Sequence, residues 1–572
     1  MNSLVLAIGA AILYLIAYHT YGKFLGRKIF KLNPEAVCPS KEFQDNIDFV
    51  PTQKPILFGH HFTSIAGTGP IVGPAVAIIW GWVPAMIWIL LGSIFMGAVH
   101  DFGAMVVSLR NQGRSIGDIA SDVINKRVRV LFLLIIFFEL WIVVAIFGVV
   151  IAVVFNIYPQ AVLPVFCEIP IALWLGYMVY KKGASHLPMS IIAVVIMYIT
   201  VIIGAYVPIK MPAIGGLSPI ALWVIVLLIY AYIASTLPVQ TLLQPRDYIN
   251  SHQLFVALGL LAVGVLVAHP TIVAPAANFS PKGAPPIFPM LFVVIACGAI
   301  SGFHSLVSSG TSSKQCDAET SSLTIGYGGM LLEGMLATFV VVACGAGIAM
   351  GLTKGGETFT GLAAFTHHYG SWVGGTGLGN RLSAFIVGSA NMIESLGIPH
   401  SITVTIMGVF VASFAATTLD TATRLQRYIV GELTTAIGIP AASKRHPATI
   451  IAVVTAFILA FYNGSGVGAM KLWPLFGATN QLLAGLALLV ITIYLARKKT
   501  SVAYTMIPMA FMIIMTGWAM IINLKNFYGS GNWLLFFIGL CTMVLEIWMI
   551  IESLVVFNKV YGKEMEPTPE TV

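Results

Sequence analysis

The chain has 572 residues, of which 58% are hydrophobic and only 9% are charged. Soluble domains contain about 25% charged residues, so this composition excludes a soluble enzyme, a nucleic-acid-binding protein and a disordered scaffold. The net charge of +8 depends on where the basic residues fall, because in membrane proteins they record orientation before they record partners.

Apolar runs long enough to cross a bilayer recur along the whole chain. A spanning helix needs about 20 mostly apolar residues. The first run has no basic region before it and no small-residue cleavage site, so we predict that it remains as a membrane helix. The fifteen predicted spans are 2–22, 62–80, 85–109, 130–155, 162–180, 187–207, 219–243, 252–270, 287–307, 325–350, 401–420, 446–462, 471–495, 503–523 and 531–557.

The basic residues cluster in alternate connections between these spans. With the N-terminus outside, 24 of the 30 Lys and Arg residues fall in inner connections, as the positive-inside rule requires. The net charge therefore reflects topology and indicates no nucleic-acid partner. Counting the apolar stretch 380–397 as a span would reverse this bias for the loops after it. We therefore predict a re-entrant or surface hairpin there, on the outer side, and a cytoplasmic C-terminus.

The span 62–80 contains glycine and proline where a membrane helix is normally most regular. Three glycines and two prolines lie within Gly67–Pro74, and these residues cost about 1 and 3 kcal/mol in a helix interior. We predict unwound backbone from Thr68 to Pro74. Such backbone is tolerated at membrane depth only beside protein or a water-filled cavity, where its free polar groups bind substrate or ions.

Ionisable side chains within the spans are functional candidates because they are costly to bury in a membrane. Glu139 and Glu333 are the deepest carboxylates; they either carry a coupled proton or are hydrogen-bonded for structure alone. Asp101 follows His100 towards the inner end of its span, where an interfacial position is the alternative. His61 opens the first broken span, and histidine titrates near physiological pH, which suits a proton-coupled gate.

A second polar segment echoes the first. The order of aromatic, hydroxyl, apolar and glycine residues in Phe62–Gly69 is repeated at most positions of Phe303–Gly310. By the charge count the two spans run in opposite directions, as the paired broken helices of an inverted repeat do. The alternative is that both are packing faces rich in small residues.

The span 401–420 ends in a third polar cluster. Thr417, Thr418 and Asp420 offer the oxygen ligands of a cation or proton site. An ion pair of Asp420 with Arg424, one helical turn later, is the alternative. The chain lacks the His, Cys and Glu spacing of a zinc or haem enzyme, and its six cysteines are scattered. We therefore predict neither a metal site nor a cofactor.

Several of these motifs resemble the carbon starvation protein CstA family, over about residues 1–500. The resemblance implies a plasma-membrane importer of peptides or pyruvate that works during nutrient limitation and is driven by protons. It also implies a leucine-transporter-like core of five plus five inverted helices, which leaves extra helices here. The motifs are Phe58–Phe62, Gly67–Pro74, Asp101-Phe102, Ser308–Thr311, Ile325–Gly328, Gly379–Arg381, Thr417–Asp420, Leu472–Gly477 and Asn480-Gln481.

Carried onto this sequence residue by residue, the resemblance implies a substrate site and a coupling site. The substrate site would use Ser64, Gly67, Thr68, Gly69, Ser308, Ser309, Gly310 and Thr311. A cation or proton site would lie between Ala66–Gly67 and Thr417/Thr418, and His61, Asp101, Glu139, Glu333 and Asp420 are the further candidates for coupling.

The leading hypothesis is an all-α polytopic symporter for a small anionic nutrient, coupled to protons or sodium ions, that works by alternating access. Arg381 is the outer-side arginine closest to a predicted gate. The predicted organisation is an N-terminal helix and cytoplasmic loop (1–61), a transporter core with inserted helices (62–495) and a two-helix extension with a cytoplasmic tail (496–572). The alternatives are a peptide-specific transporter, a starvation sensor, and an intramembrane enzyme using Ser308 or Ser309 near His304.

Overall fold

The structure, a computed structural model, describes residues 1–375 and 377–560; the predicted cytoplasmic tail lies outside this part. Within it the chain is mostly helical, and the strands Leu352–Lys354 and Glu357–Phe359 form one antiparallel pair. Twelve of the described helices are long and apolar enough to cross a bilayer. They are Ser3–Ile29, Trp82–Leu109, Lys126–Ile157, Pro159–Lys181, Leu187–Tyr206, Pro219–Thr236, Leu243–Ala268, Leu323–Met350, His400–Ala436, Gly468–Arg497, Ala503–Gly529 and Trp533–Lys559.

Three further predicted spans take other forms. The span 62–80 is part of a bent pair, Lys54–Ala66 and Gly69–Trp80, whose halves meet at 44°. The span 446–462 is the shorter apolar helix Arg445–Phe461. The span 287–307 is interrupted into the helices Ile287–Val294 and Gly302–Val307. The prediction of fifteen continuous spans is therefore not confirmed.

The prediction of a hairpin at 380–397 is wrong. Most of this stretch is one helix, Leu378–Glu394, which packs against the helix His400–Ala436. Phe385 lies in this contact, with its ring centre 6.0 Å from that of Phe410. The apolar side chains that look like a membrane run are thus a helix face buried against protein.

Smaller helices connect these elements. The loop 30–53 holds one short helix, Pro39–Glu42, and then leads into Lys54–Ala66, so the predicted domain boundary at residue 61 falls inside a helix. Further short helices among the described residues are Ile116–Val123, Gly347–Met350, Gly361–Tyr369, Trp372–Gly375 and Pro440–Ser443.

Candidate functional site

The first interrupted segment consists of the helices Lys54–Ala66 and Gly69–Ala77. Helical backbone stops at Gly67, where φ is 6° and ψ is −145°. The predicted break is confirmed, but the unwound part is Gly67 and Thr68 only. Pro70 lies in the first turn of the second helix, where its missing N–H leaves no hydrogen bond unmade. The helix also continues through Pro74, which is an interior proline.

The second interrupted segment consists of the helices Ile287–Val294 and Gly302–Val307, the latter continuing as a π-helical turn to Ser312. Residues 295–301 form the break. Gly298 has a φ of +91° in this break, a conformation that favours glycine.

The break of the second segment is not where the repeat predicted it. Phe62–Gly69 runs into its break, whereas Phe303–Gly310 follows its own break and is helical. The eight-residue alignment is therefore wrong as a structural register. Serine and glycine at 308–310 looked like helix breakers, but they occupy a buried helix in close packing.

The two breaks contact each other directly. A Cβ atom on Gly69 would lie 2.4 Å from Sγ of Cys297, and one on Gly73 would lie 2.6 Å from the carbonyl oxygen of Val294. Only glycine allows this approach, because no other residue lacks a Cβ. A cavity of about 570 Å³ lies beside the contact and is lined by Thr68 and Gly69 from one break and by Ala296 and Cys297 from the other.

The cavity is apolar and aromatic, with few polar groups. Phe147 and Trp473 line it, as do the amides Asn523 and Asn526. Arg381 is the one basic residue among the described lining residues, which include no Asp or Glu. Its guanidinium carbon lies 5.3 Å from the centre of the Trp473 ring. Its Nε is buried and has no hydrogen-bond partner in the part of the chain that the structure describes.

Two of the eight residues predicted to bind substrate, Thr68 and Gly69, line this cavity. The structure places the other six outside the cavity wall. Ser309 Oγ, for example, donates to the carbonyl oxygen of Ser305 at 2.7 Å, and Thr311 Oγ1 lies 3.2 Å from His60 Nε2. These six residues are Ser64, Gly67, Ser308, Ser309, Gly310 and Thr311.

The first break also contacts the helix His400–Ala436 at the predicted cation or proton position. A Cβ atom on Gly67 would lie 2.6 Å from Oγ1 of Thr418. This hydroxyl donates to the carbonyl oxygen of Ser64 at 3.3 Å. Thr417 Oγ1, one residue earlier, accepts a 2.9 Å hydrogen bond from Asn250.

Asp420 belongs to a buried ion-pair network that the sequence analysis missed. Arg246 donates from Nε to Glu168 at 3.0 Å and from Nη1 to Asp420. Tyr230 also donates to Asp420, at 2.8 Å. The pairing of Asp420 with Arg424 is therefore wrong. Sequence reasoning counted Arg246 as a loop charge and passed over Glu168, although a carboxylate inside the span 162–180 was a usable signal.

A second buried network surrounds His304. Its Nδ1 lies 2.9 Å from Asp101, and its Nε2 lies 3.3 Å from Glu333. The other oxygen of Asp101 lies 2.7 Å from Nδ1 of His100. The side chains of all four residues are fully buried, so Asp101 is enclosed by protein and not exposed at the surface.

The remaining predicted coupling residues make single polar contacts. His61 Nδ1 lies 2.8 Å from the hydroxyl of Ser312. Glu139 accepts a 2.6 Å hydrogen bond from Thr479. Both residues are buried.

The loop 30–53 is bound to the far end of the helix His400–Ala436. Asp48 accepts hydrogen bonds from Arg424 at 2.8 Å, Arg427 at 3.2 Å and Tyr428 at 2.6 Å. Burial raises the pKa of the Asp48 carboxyl, but the two guanidinium charges and the Tyr428 hydrogen bond outweigh it and lower the pKa to about 2. The carboxylate is thus held charged where the loop meets the helix.

Known proteins resemble this chain over most of its length. The peptide transporter CstA of Campylobacter jejuni is 32% identical, with 93% of this chain and 82% of the relative covered. The pyruvate/proton symporter BtsT of Escherichia coli is 30% identical, with 91% and 81% covered. A solved variant of the Eremococcus coleocola manganese transporter shares the fold at a TM-score of 0.50 and 11% identity, over 90% of this chain and 99% of its own.

These relatives are transporters, which confirms the prediction of a membrane transporter and not an enzyme. Residues 2–519 match the family described as Carbon starvation protein CstA. The chain therefore belongs to the carbon starvation protein CstA family.

Proposed function

We propose that the protein is a secondary-active importer of a small carboxylate such as pyruvate, driven by proton symport across the plasma membrane. The relatives named as peptide transporters and as a pyruvate/proton symporter support this class of activity. In this proposal the core is a five-plus-five inverted repeat with extra helices, the N-terminus is outside and the C-terminus is cytoplasmic. The two interrupted segments are the paired broken helices that such a core places around its substrate.

The observation that carries the proposal is the charge of the cavity. Arg381 lines a site whose described lining residues include no Asp or Glu, and its buried Nε has no hydrogen-bond partner there. The helix that begins at Gly69, another lining residue, has its positive end at the same cavity. Both features stabilise a bound anion. Three further basic residues, Lys282, Lys471 and Lys525, flank lining residues in the sequence and would raise the local concentration of anions.

We propose that in this conformation substrate reaches the cavity from the outer side of the membrane. Arg381, Trp473 and Asn526 lie on segments whose charge pattern predicts an outer position. On the opposite side the loop 30–53 is fastened to Arg424 and Arg427 through Asp48. An importer in an outward-facing state has this arrangement, with an open outer cavity and a closed inner side.

Coupling is proposed to act through Asp420. One guanidinium, that of Arg246, lies between the carboxylates of Glu168 and Asp420, so one negative charge is left over in a buried site and a proton can neutralise it. Asp420 lies on the same helix as Thr418, which contacts the first break. Protonation can therefore bias the break beside the cavity through a continuous set of contacts.

A peptide substrate is the second candidate. A cavity of about 570 Å³ falls in the range of drug-sized ligand sites and is larger than pyruvate requires. The carboxyl terminus of a peptide would meet the same Arg381.

Uptake by purified protein in proteoliposomes that contain a pH-sensitive dye tests both candidates. We expect pyruvate to acidify the lumen, the Asp420→Asn variant to lose this acidification, and the exposed control Glu357→Gln to behave like the wild type. Acidification by di- and tripeptides but not by pyruvate would favour the second candidate. Absence of acidification with all of these substrates would contradict proton symport.

A further inference from the structure

Three side chains next to the second break have a chemistry that the transport proposal does not use. The ligand atoms of Cys297, His304 and Glu333 all lie within 4.8 Å of one another, and all three residues are buried. Cys297 belongs to the break itself, His304 to the helix after it, and Glu333 to the helix Gly329–Gly345. Thiol, imidazole and carboxylate are the protein ligands of zinc.

Three polar atoms of this cluster lack an aligned hydrogen-bond partner, whereas the Cys297 thiol donates to Ser301 Oγ at 3.3 Å. In the part of the chain that the structure describes, these atoms are the two carboxylate oxygens of Glu333 and Nε2 of His304. Burying such groups unpaired costs free energy. His304 Nε2 and Glu333 Oε2 lie 3.3 Å apart, which is about the separation of two ligands bound tetrahedrally at 2.0–2.2 Å from one ion.

The other ring nitrogen of His304 is held in the manner of a metal-binding histidine. Nδ1 lies 2.9 Å from Asp101, whose second oxygen lies 2.7 Å from His100. Metal-ligating histidines almost always donate this N–H to a carboxylate or carbonyl, which fixes the tautomer and leaves the free nitrogen for the metal. In the neutral tautomer that donates Nδ1–H to Asp101, Nε2 would present its lone pair to Cys297 and Glu333.

We propose that Cys297, His304 and Glu333 form a binding site for a divalent transition-metal ion, with Zn²⁺ favoured. The sulfur ligand selects against Mg²⁺ and Ca²⁺, which take oxygen ligands. Three protein ligands leave the fourth position of a tetrahedral ion open. Cys297 also lines the cavity. The ion could therefore enter through the cavity, and its open fourth position would face the cavity.

Occupancy would restrain the transporter. The ion would tie the second break, through Cys297, to the helix that carries Glu333, and a break that must move during alternating access would be held in one arrangement. We expect Zn²⁺ to inhibit uptake. This consequence rests on the proposed function, whereas binding itself does not.

Metal binding is tested on full-length protein in nanodiscs after chelator treatment. Co²⁺ should give the thiolate-to-cobalt charge-transfer absorption and Zn²⁺ should displace it at one ion per chain. Cys297→Ser should abolish the band, Glu333→Gln should weaken binding, and Asp101→Asn should weaken it by about 10- to 100-fold. Cys344→Ser, a buried thiol on the Glu333 helix but outside the cluster, should leave the spectrum unchanged.

The outcomes separate the two proposals. Absence of the band from the wild-type protein, or its loss in Cys344→Ser but not in Cys297→Ser, would overturn the metal site whatever the transport result. The wild-type spectrum decides the question even where a variant fails to fold. A metal-binding protein that shows no substrate-dependent proton influx would contradict the proposed function alone.

Discussion

The side-chain oxygen of Asn480 accepts a 2.9 Å hydrogen bond from the backbone N–H of Phe303. Phe303 lies in the first turn of the helix after the second break, where such donors have no partner within the helix. The neighbouring side chain, Gln481, donates to the carbonyl oxygen of Phe292 at 2.9 Å, on the other side of the break. Two adjacent residues of the helix Trp473–Arg497 therefore hold both ends of the interruption.

Replacing Asn480 should loosen this break. In Asn480→Ala the Phe303 N–H is left buried and unpaired, at a cost of about 1–3 kcal/mol. We expect a lower melting temperature of the purified protein and slower uptake. The exposed Asn463→Ala should change neither, and equal melting temperatures for the two variants would contradict the role given to Asn480.

The contact between the breaks predicts a rescue. Gly69→Ala places a Cβ 2.4 Å from Sγ of Cys297, and overpacking of this kind costs about 1–3 kcal/mol. The melting temperature of the purified protein should therefore fall, and uptake should slow because the two breaks cannot keep this contact.

Removing the opposing side chain with Cys297→Gly should restore much of the melting temperature and of the uptake rate in the double variant. Gly259→Ala is the matched control, because its Cβ would meet no atom within 4 Å. If the single variant Gly69→Ala transports normally, the breaks are not in the contact described.

Arg381 should determine the preference for anions. Loss of a hydrogen bond to a charged group costs about 1.5–3 kcal/mol, so Arg381→Gln should raise the KM for pyruvate by about 10- to 100-fold. The exposed Lys354→Gln should leave it unchanged. The neutral analogue pyruvamide should compete only weakly with pyruvate in the wild type, and it should compete no more weakly in the variant. An equal loss of affinity for pyruvate and for pyruvamide would indicate that Arg381 has a structural role.

The pH dependence of stability should report on Asp48. Its folded-state pKa of about 2 lies below the unfolded value of about 3.9. The stabilisation, about 2.6 kcal/mol, is therefore complete above about pH 5 and is lost progressively as the pH falls towards 2. The difference in melting temperature between the wild type and Asp48→Asn should shrink over this window, and a constant difference would contradict the assignment.

The fold was largely readable from the sequence because apolar length and glycine-proline placement are local signals. The run Gly67–Pro74 predicted the position of the first break to within a few residues. The break is shorter than predicted because a proline in a first helical turn, such as Pro70, is compatible with the helix. Leu378–Glu394 was misread because a helix face buried against protein has the same composition as one facing lipid.

The candidate site was harder to predict because its members come together only by packing. Arg246 lies in a polar stretch whose composition is typical of a loop, yet it forms ion pairs with carboxylates 78 and 174 residues away. Cys297, His304 and Glu333 have no metal-binding spacing, and only the fold brings them within 4.8 Å. The second break carries one glycine, Gly298, which gave too weak a signal beside the serine- and glycine-rich segment that follows.

The most direct test of the account is a cryo-electron microscopy structure of the protein in nanodiscs at a saturating concentration of transported substrate. The account predicts ligand density between Thr68–Gly69 and Ala296–Cys297, with its carboxylate towards Arg381. Density at another place, with this cavity unoccupied by substrate, would contradict it.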